Sequence, residues 1–303
     1  MFFLVTFIVI QSSPIIQFSD IEFYNSFSLA DSTNNSNREI DKINLFKLGV
    51  PPFRENAPNN INVQPSPVNL ILLSASPNQI TDDEAWLERN NLSLPTYEVP
   101  NPFRQTLGKI PDYIPKTFNN NMLVKAIRGE QQDYLVYGRN FAENKYLLIY
   151  DRDAKKFTQS YDFSNYIYAS NYLPGERDYI NQTLNWVITE DNILYFSHSH
   201  STYAKSSSGM NAYLTALDLK TNQILWRSQP LVCNASNFII IDDVIICGYG
   251  FTAELDYLYL INKNTGEILQ QIPLKTAPDY IIPKDNKLYV RTYNTDYVFK
   301  IQD

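Results

Sequence analysis

Tyr213-Leu-Thr-Ala-Leu-Asp218, then Leu219-Lys-Thr-Asn-Gln223, then Ile224-Leu-Trp-Arg227, reads as a strand, a tight polar turn and a second strand. Two further copies flank it. Upstream, Tyr146-Leu-Leu-Ile-Tyr-Asp151 runs through RDAKK into Phe157-Thr-Gln-Ser160. Downstream, Tyr257-Leu-Tyr-Leu-Ile-Asn262 runs through KNTGE into Ile268-Leu-Gln-Gln271. Asp218 and Asn262 are 44 residues apart, a period suited to a four-stranded unit. Asp151 and Asp218 are 67 apart, so the first interval must hold insertions. A hairpin precedes each copy: Leu123 to Arg139 turning through GEQQD, Trp186 to Ser197 through TEDN, and Phe238 to Cys247 through Asp242-Asp243. A fourth hairpin, Tyr280 to Arg291 through PKDN, leads into Tyr297-Val-Phe-Lys-Ile301.

Each unit is therefore four strands, A to D, and the last lacks its D. One such sheet leaves both faces apolar and uncovered. Stacking the sheets as blades around an axis covers them. The expected fold is all-β: a β-propeller of four-stranded antiparallel blades over residues 119–303, with a proline- and Asn-rich N-terminal extension. Four units are legible, and the N-terminal third has room to hide one more. Residues 68–118 read as partly structured, with Val68 to Leu73 the candidate closing strand. Asp82 to Asn90 reads as one short helix capped by Asp82 or Thr81.

Composition agrees. Apolar residues make up 44% and charged ones 19%, with 22 Tyr and 17 Phe, so a large β-rich core is available. A net charge of −7 argues against nucleic-acid binding, which needs clustered cations against phosphates. Two His and two Cys exclude a zinc framework or a disulfide scaffold. Residues 19–67 read as extended linker. Phe2 to Ile10, FFLVTFIVI, is too short to span a bilayer. It reads as the apolar core of an export signal within residues 1–18, or as a buried strand. No basic residue precedes Arg38, and Ser28-Leu29-Ala30 is the best cleavage match. Export would place the chain outside the cytoplasm.

The stretch Ala216 to Trp226 resembles the tryptophan-docking repeat of the PQQ-like (quinoprotein-like) β-propellers. Ala216, Asp218, Thr221 and Trp226 match it, and Asn222 stands where the family uses Gly. Thr265 and Gly266 repeat the turn, with Gln270 in place of Trp. The resemblance implies that the Trp packs between neighbouring blades. It also implies either a quinone- and calcium-dependent dehydrogenase or a cofactor-free scaffold. The enzymes hold adjacent cysteines against the quinone, whereas Cys233 and Cys247 are separated, so no cofactor is expected.

Two local features invite chemistry. His198 and His200 share one side of a strand and could take one metal ion, although no third ligand is evident. The alternative is a pair of solvated histidines beside a Ser-rich loop. Cys233 and Cys247 could bridge only if the loop after the preceding strand folds back. Arg291 and Asp296 could pair across a hairpin tip. The expected function is a non-catalytic extracytoplasmic scaffold that binds another protein or a surface ligand. Its contact surface would be its loop-rich face, loops 164–184 and 199–211. The competing expectation is a metal- or quinone-dependent oxidoreductase on the same fold. Neither a nucleic-acid partner nor a transmembrane helix is expected.

Overall fold

Asx residues stand where the backbone turns left-handed. Asp191 and Asn192 have φ of 50° and 62°, and Asp285 and Asn286 have 51° and 56°. Two consecutive positive φ values make the hairpin turn that matches strand twist. Asn and Asp tolerate it best among residues bearing a Cβ. A chain with only 9 Gly can therefore still build many hairpins.

The structure is a computed structural model and describes residue 43 and residues 45–51, 65–99 and 108–302. The apolar run Phe2 to Ile10, the site Ser28 to Ala30 and most of 19–67 lie outside the described residues. The strands are β1 (Phe46–Lys47), β2 (Asn69–Pro77), β3 (Thr117–Phe118), β4 (Asn121–Arg128), β5 (Gln132–Asn140) and β6 (Glu143–Asp151). Next come β7 (Lys156–Asp162), β8 (Thr183–Glu190), β9 (Ile193–Ser199), β10 (Tyr213–Asp218), β11 (Gln223–Arg227) and β12 (Ile239–Ile241). The last are β13 (Val244–Tyr249), β14 (Tyr257–Asn262), β15 (Ile268–Pro273), β16 (Pro278–Lys284), β17 (Lys287–Thr292) and β18 (Thr295–Gln302).

They form four sheets. Blade 1 is β4 to β7, widened to six strands by β3 at one edge and by β1, parallel to β7, at the other. Blade 2 is β8 to β11 and blade 3 is β12 to β15. Blade 4 is β16, β17, β18 and β2. The run beginning at Val68 falls in β2, which pairs antiparallel with β18 from Gln302↔Asn69 to Thr295↔Pro77. Four sheets account for the paired strands among the described residues. Among the described residues of the N-terminal third, β1 and β2 are edge strands of blades 1 and 4.

The inner strands share an irregularity. Register slips by one residue between Leu123 and Lys125 in β4, between Leu184 and Trp186 in β8, and between Pro278 and Tyr280 in β16. A bulge bends and twists a strand. Repeated in three blades, it places Lys125, Trp186 and Tyr280 at equivalent positions along the inner strands.

Buried apolar side chains fall into separate clusters. One runs from blade 1 through blade 2 to blade 3, and includes Val136, Leu194, Phe196, Leu217 and Ile261. A second joins blades 3 and 4 through Ile246, Leu258, Ile281 and Phe299. A third covers the remaining side of blade 1, with Leu135, Tyr137 and Leu148 under Ile114 and Phe118. The described residues 78–99 and 108–118 are tied to both ends of this array. Helix α1 (Asp83–Arg89) clasps blade 4, where the buried Arg291 bonds Asp82, Asp83 and the Gln79 carbonyl. Trp86 stacks on Tyr280, with ring centroids 6.5 Å apart. Arg291 also reaches Asp296 at 2.9 Å, the pairing anticipated across the hairpin tip. Asp82 makes no capping bond to the helix, contrary to expectation, because its carboxylate is turned to Arg291 and Arg89. Further on, Tyr97 and Tyr113 both donate to the buried Asp133 of blade 1, at 3.2 and 2.7 Å.

Candidate functional site: the axial cavity and the loop-rich face

The repeat turns are built alike. Asp218 Oδ1 accepts the amides of Lys220 and Thr221, at 2.7 and 2.9 Å. Asn262 Oδ1 accepts those of Asn264 and Thr265, and Asp151 Oδ1 those of Asp153 and Ala154. Each turn then needs a left-handed residue, supplied by Asn222, Gly266 and Lys155, with φ of 57°, 72° and 52°. Ala216 sits on β10 directly opposite Trp226 on β11. The Trp226 ring lies against Gly266, where an added Cβ would be 2.4 Å from the indole. Its Nε1 donates to the Lys263 carbonyl at 3.1 Å, which joins blade 2 to blade 3.

The same docking occurs at blade 1 without Trp, a feature missed from sequence. Gln159 stands at the same offset from Asp151 as Trp226 does from Asp218. Its Nε2 donates to the Leu219 carbonyl at 2.8 Å, and Leu219 corresponds to Lys263. Gln270, again at that offset, reaches Asn69 of β2 at 3.3 Å. Gln159 keeps the hydrogen bond of the indole and gives up its area, whereas Gln270 donates to a side-chain oxygen instead.

At the face carrying the A–B turns, the inner strands line an open axial cavity of about 920 Å³. All four blades line it, with Trp186, Ile188, Ile240 and Ile282 among the apolar side chains. Its titratable acids and bases are Arg128, Glu130, Glu190 and Asp191, and Glu190 is bonded to Lys263 at 2.9 Å. Beyond its inner end, Lys125 donates to the carbonyls of Asn185 and Ser236 and lies 5.6 Å from the Trp186 ring. Desolvation pulls Lys125 down to about 8, with Asp279 pulling the other way. One wall of the cavity is the protein's own extended segment at Ser93 to Pro95. There the Arg128 amide donates to Pro95 O at 2.7 Å and the Tyr97 amide to Ala126 O at 2.9 Å.

The opposite face carries the D–A and B–C loops. His198 and His200 lie there at the end of β9, and neither is solvated: they are 0% and 1% exposed. The expectation of two solvated histidines is thereby corrected. The long loop 163–182 folds over them. Tyr168 stacks on His198 at 4.5 Å and donates from its hydroxyl to the Ser199 carbonyl. His200 Nε2 bonds Ser207 Oγ at 2.9 Å. Desolvation drives His198 well below its usual range, helped by Arg227 and His200. Desolvation brings His200 to about 4. Both rings are neutral at ordinary pH. Among the described residues no group of three His, Cys, Asp or Glu side chains is placed to hold a metal ion.

Cys233 and Cys247 are brought together after all. The chain at Asn234 and Ala235 folds back and donates to the Gly248 carbonyl. Both cysteines are buried free thiols, and Cys247 donates to the Val232 carbonyl at 3.1 Å. Burial, followed by the adjacent Cys233, pushes the Cys247 thiol up. Loop 163–182 is tied to the neighbouring B–C loop through Leu173 N to Ser206 O, and Ala204 N donates to Glu254. Above these cross-links five apolar side chains stay exposed: Leu173, Tyr179, Tyr203, Leu255 and Tyr293. Tyr203 meets Phe251 edge-on at 5.3 Å.

No family model matches the sequence, and no curated protein matches it. Solved structures do resemble the fold. The computationally designed Ika8 protein aligns at 10% identity over 59% of this chain and 46% of its own, with a TM-score of 0.40. BamB from Moraxella catarrhalis aligns at 11% identity over 57% of this chain and 56% of its own, with a TM-score of 0.31. Sqt1 from Saccharomyces cerevisiae aligns at 10% identity over 57% and 42%, with a TM-score of 0.40. The chain thus spans about half the length of these structures. The likeness is partial and confined to architecture. No helix among the described residues is long and apolar enough to cross a membrane.

Proposed function

We propose that the chain is a non-catalytic, extracytoplasmic scaffold on a PQQ-like repeat that holds a partner protein on its loop-rich face. The observation that carries this reading is the exposure of Leu173, Tyr179, Tyr203, Leu255 and Tyr293 on the loops of that face. Large apolar side chains left exposed on the loops of one face favour association with another protein. They sit on loops cross-linked underneath, so little order has to be gained on binding. The histidines support the same reading, since they serve as packing under the loops. The match of Ala216, Asp218, Thr221 and Trp226 supports the PQQ-like assignment, and Phe2 to Ile10 supports export.

The test is a variant carrying Leu173→Ser, Tyr179→Ser, Tyr203→Ser and Leu255→Ser. It should unfold at the same temperature as the parent and lose capture of its partner from the native extracytoplasmic fraction. Capture at the parent level by a folded variant refutes the choice of face. Shortening the loops instead would confuse the result, because Tyr166 and Tyr168 within 163–182 are buried.

A further inference from the structure

We propose that the axial cavity is a second binding site, which takes an extended peptide with an apolar, proline-tolerant core and a basic residue at the mouth. Three observations lead there. The first is size and shape. At about 920 Å³ the cavity is as large as sites that enclose most of a small ligand. It is lined by the inner strands of all four blades, and strands can pair with an extended chain.

The second observation is a precedent in the same space. The protein's own segment from Ser93 to Tyr97 lies along the inner edge of β4. It pairs antiparallel through Thr96↔Ile127, with the Arg128 and Tyr97 amides both engaged. Adding a strand to a sheet edge gives affinity through the backbone, and alternate side chains give selectivity. Leu94 and Pro95 on that segment form one wall, so a proline-bearing strand is already accommodated. Facing it are the inner strands β8 and β12, with Ile188, Ile239 and Ile240 only partly buried.

The third observation is charge. Acids outnumber bases among the lining residues: Glu130, Glu190 and Asp191 stand against Arg128, with Lys263 engaging Glu190. Glu130 and Asp191 are exposed at the A–B turns. A cation on the incoming segment is favoured there, and the net charge of −7 steers it from a distance. Arg128 is closer to the A–B turn than Ala126, so the Ser93 end of the precedent lies at the mouth. A peptide entering in that direction carries its basic residues at its N-terminus.

The probe is fluorescein-labelled Lys-Lys-Ser-Leu-Pro-Thr-Tyr, titrated with the full chain and followed by anisotropy. Its counterpart begins Glu-Glu. Saturable binding of the first is expected, with a Kd of roughly 10 to 100 μM. The Glu-Glu peptide, and the Ile240→Arg protein with the Lys-Lys peptide, should each bind about 10-fold more weakly. Glu130→Gln with Asp191→Asn, which keeps a residue tolerant of the left-handed turn, should remove the preference between the two peptides. The loop-face quadruple variant should bind like the parent, which separates this site from the other face. No saturation up to about 1 mM protein overturns the proposal. So does equal affinity for the two peptides, or binding lost in the loop-face variant and kept in Ile240→Arg.

Discussion

Replacing His198 by Phe should stabilise the protein and blunt its response to acid. His198 is fully buried, and neither ring nitrogen has a hydrogen-bond partner among the described residues. A buried polar group left unsatisfied costs about 1–3 kcal/mol. Phe keeps a flat ring for Tyr168 to stack on and removes that cost, so a gain of about 1–2 kcal/mol is expected at pH 7. The pH dependence follows from sign. Both histidines have folded pKa values below the unfolded 6.5, so the unfolded chain binds more protons as pH falls, and stability drops. For His200, with a folded value of about 4, the loss from pH 7 to pH 5 is roughly 2 kcal/mol. His198 acts in the same direction. Asp256 opposes them, because burial and Glu254 raise it to about 6, and it returns roughly 1 kcal/mol over the same range. The parent should therefore lose more stability between the two pH values than His198→Phe, for which His200 and Asp256 together leave a loss of roughly 1 kcal/mol. Urea unfolding at both pH values measures this. Equal parent stability at pH 7 and pH 5, or a variant about 2 kcal/mol less stable than the parent at pH 7, refutes the reasoning.

Other substitutions probe the joints between blades. Gly266→Ala should cost at least about 2 kcal/mol in urea unfolding, because φ is 72° and the new methyl group would meet the Trp226 ring. Arg291→Met leaves Asp82, Asp83 and Asp296 without their shared cation. It should cost about 3–5 kcal/mol and expose α1 to limited proteolysis, and cleavage at the parent rate would count against the clasp. Lys125 has a folded pKa of about 8, depressed from 10.5, so the unfolded chain binds more protons between those values. Over pH 7.5 to 9.5 the buried Cys247 thiol and buried tyrosines such as Tyr137 and Tyr168, all pushed up, act in the opposite sense, so Lys125 is read by difference: relative to the parent, Lys125→Met should lose roughly 2 kcal/mol across that range in thermal melts.

What could be read from the sequence was whatever is local. Strand limits were legible because Asx residues at positive φ punctuate them, as at Asp191-Asn192 and Asp285-Asn286. The C–D turns were legible because Asp218 and Asn262 satisfy amides only two or three residues on. Residues 78–118 were opaque for the opposite reason. Their ties run to Arg291 and to Asp133, and no spacing within the segment announces either partner. The histidines show the same limit at a site. Alternation places His198 and His200 on one side of β9, but it is silent on whether that side is covered. The cover is the insertion 163–182, whose Tyr166 and Tyr168 carry no pattern that points to β9.

Gln159 marks the boundary between the two cases. The repeat pattern weights the aromatic at the docking position, so a Gln there looks like decay. The fold uses the polar half of the indole as well: one N–H donated to the carbonyl that opens the next blade's C–D turn. Glutamine supplies that donor at a similar reach. The Tyr161 ring beside it restores part of the lost area, and its hydroxyl reaches Asn222 of the same turn at 2.9 Å. Two residues on β7 thus share what Trp226 does alone on β11. A pattern defined by hydrogen-bond capacity rather than by aromatic identity would have placed the first blade beside the other two.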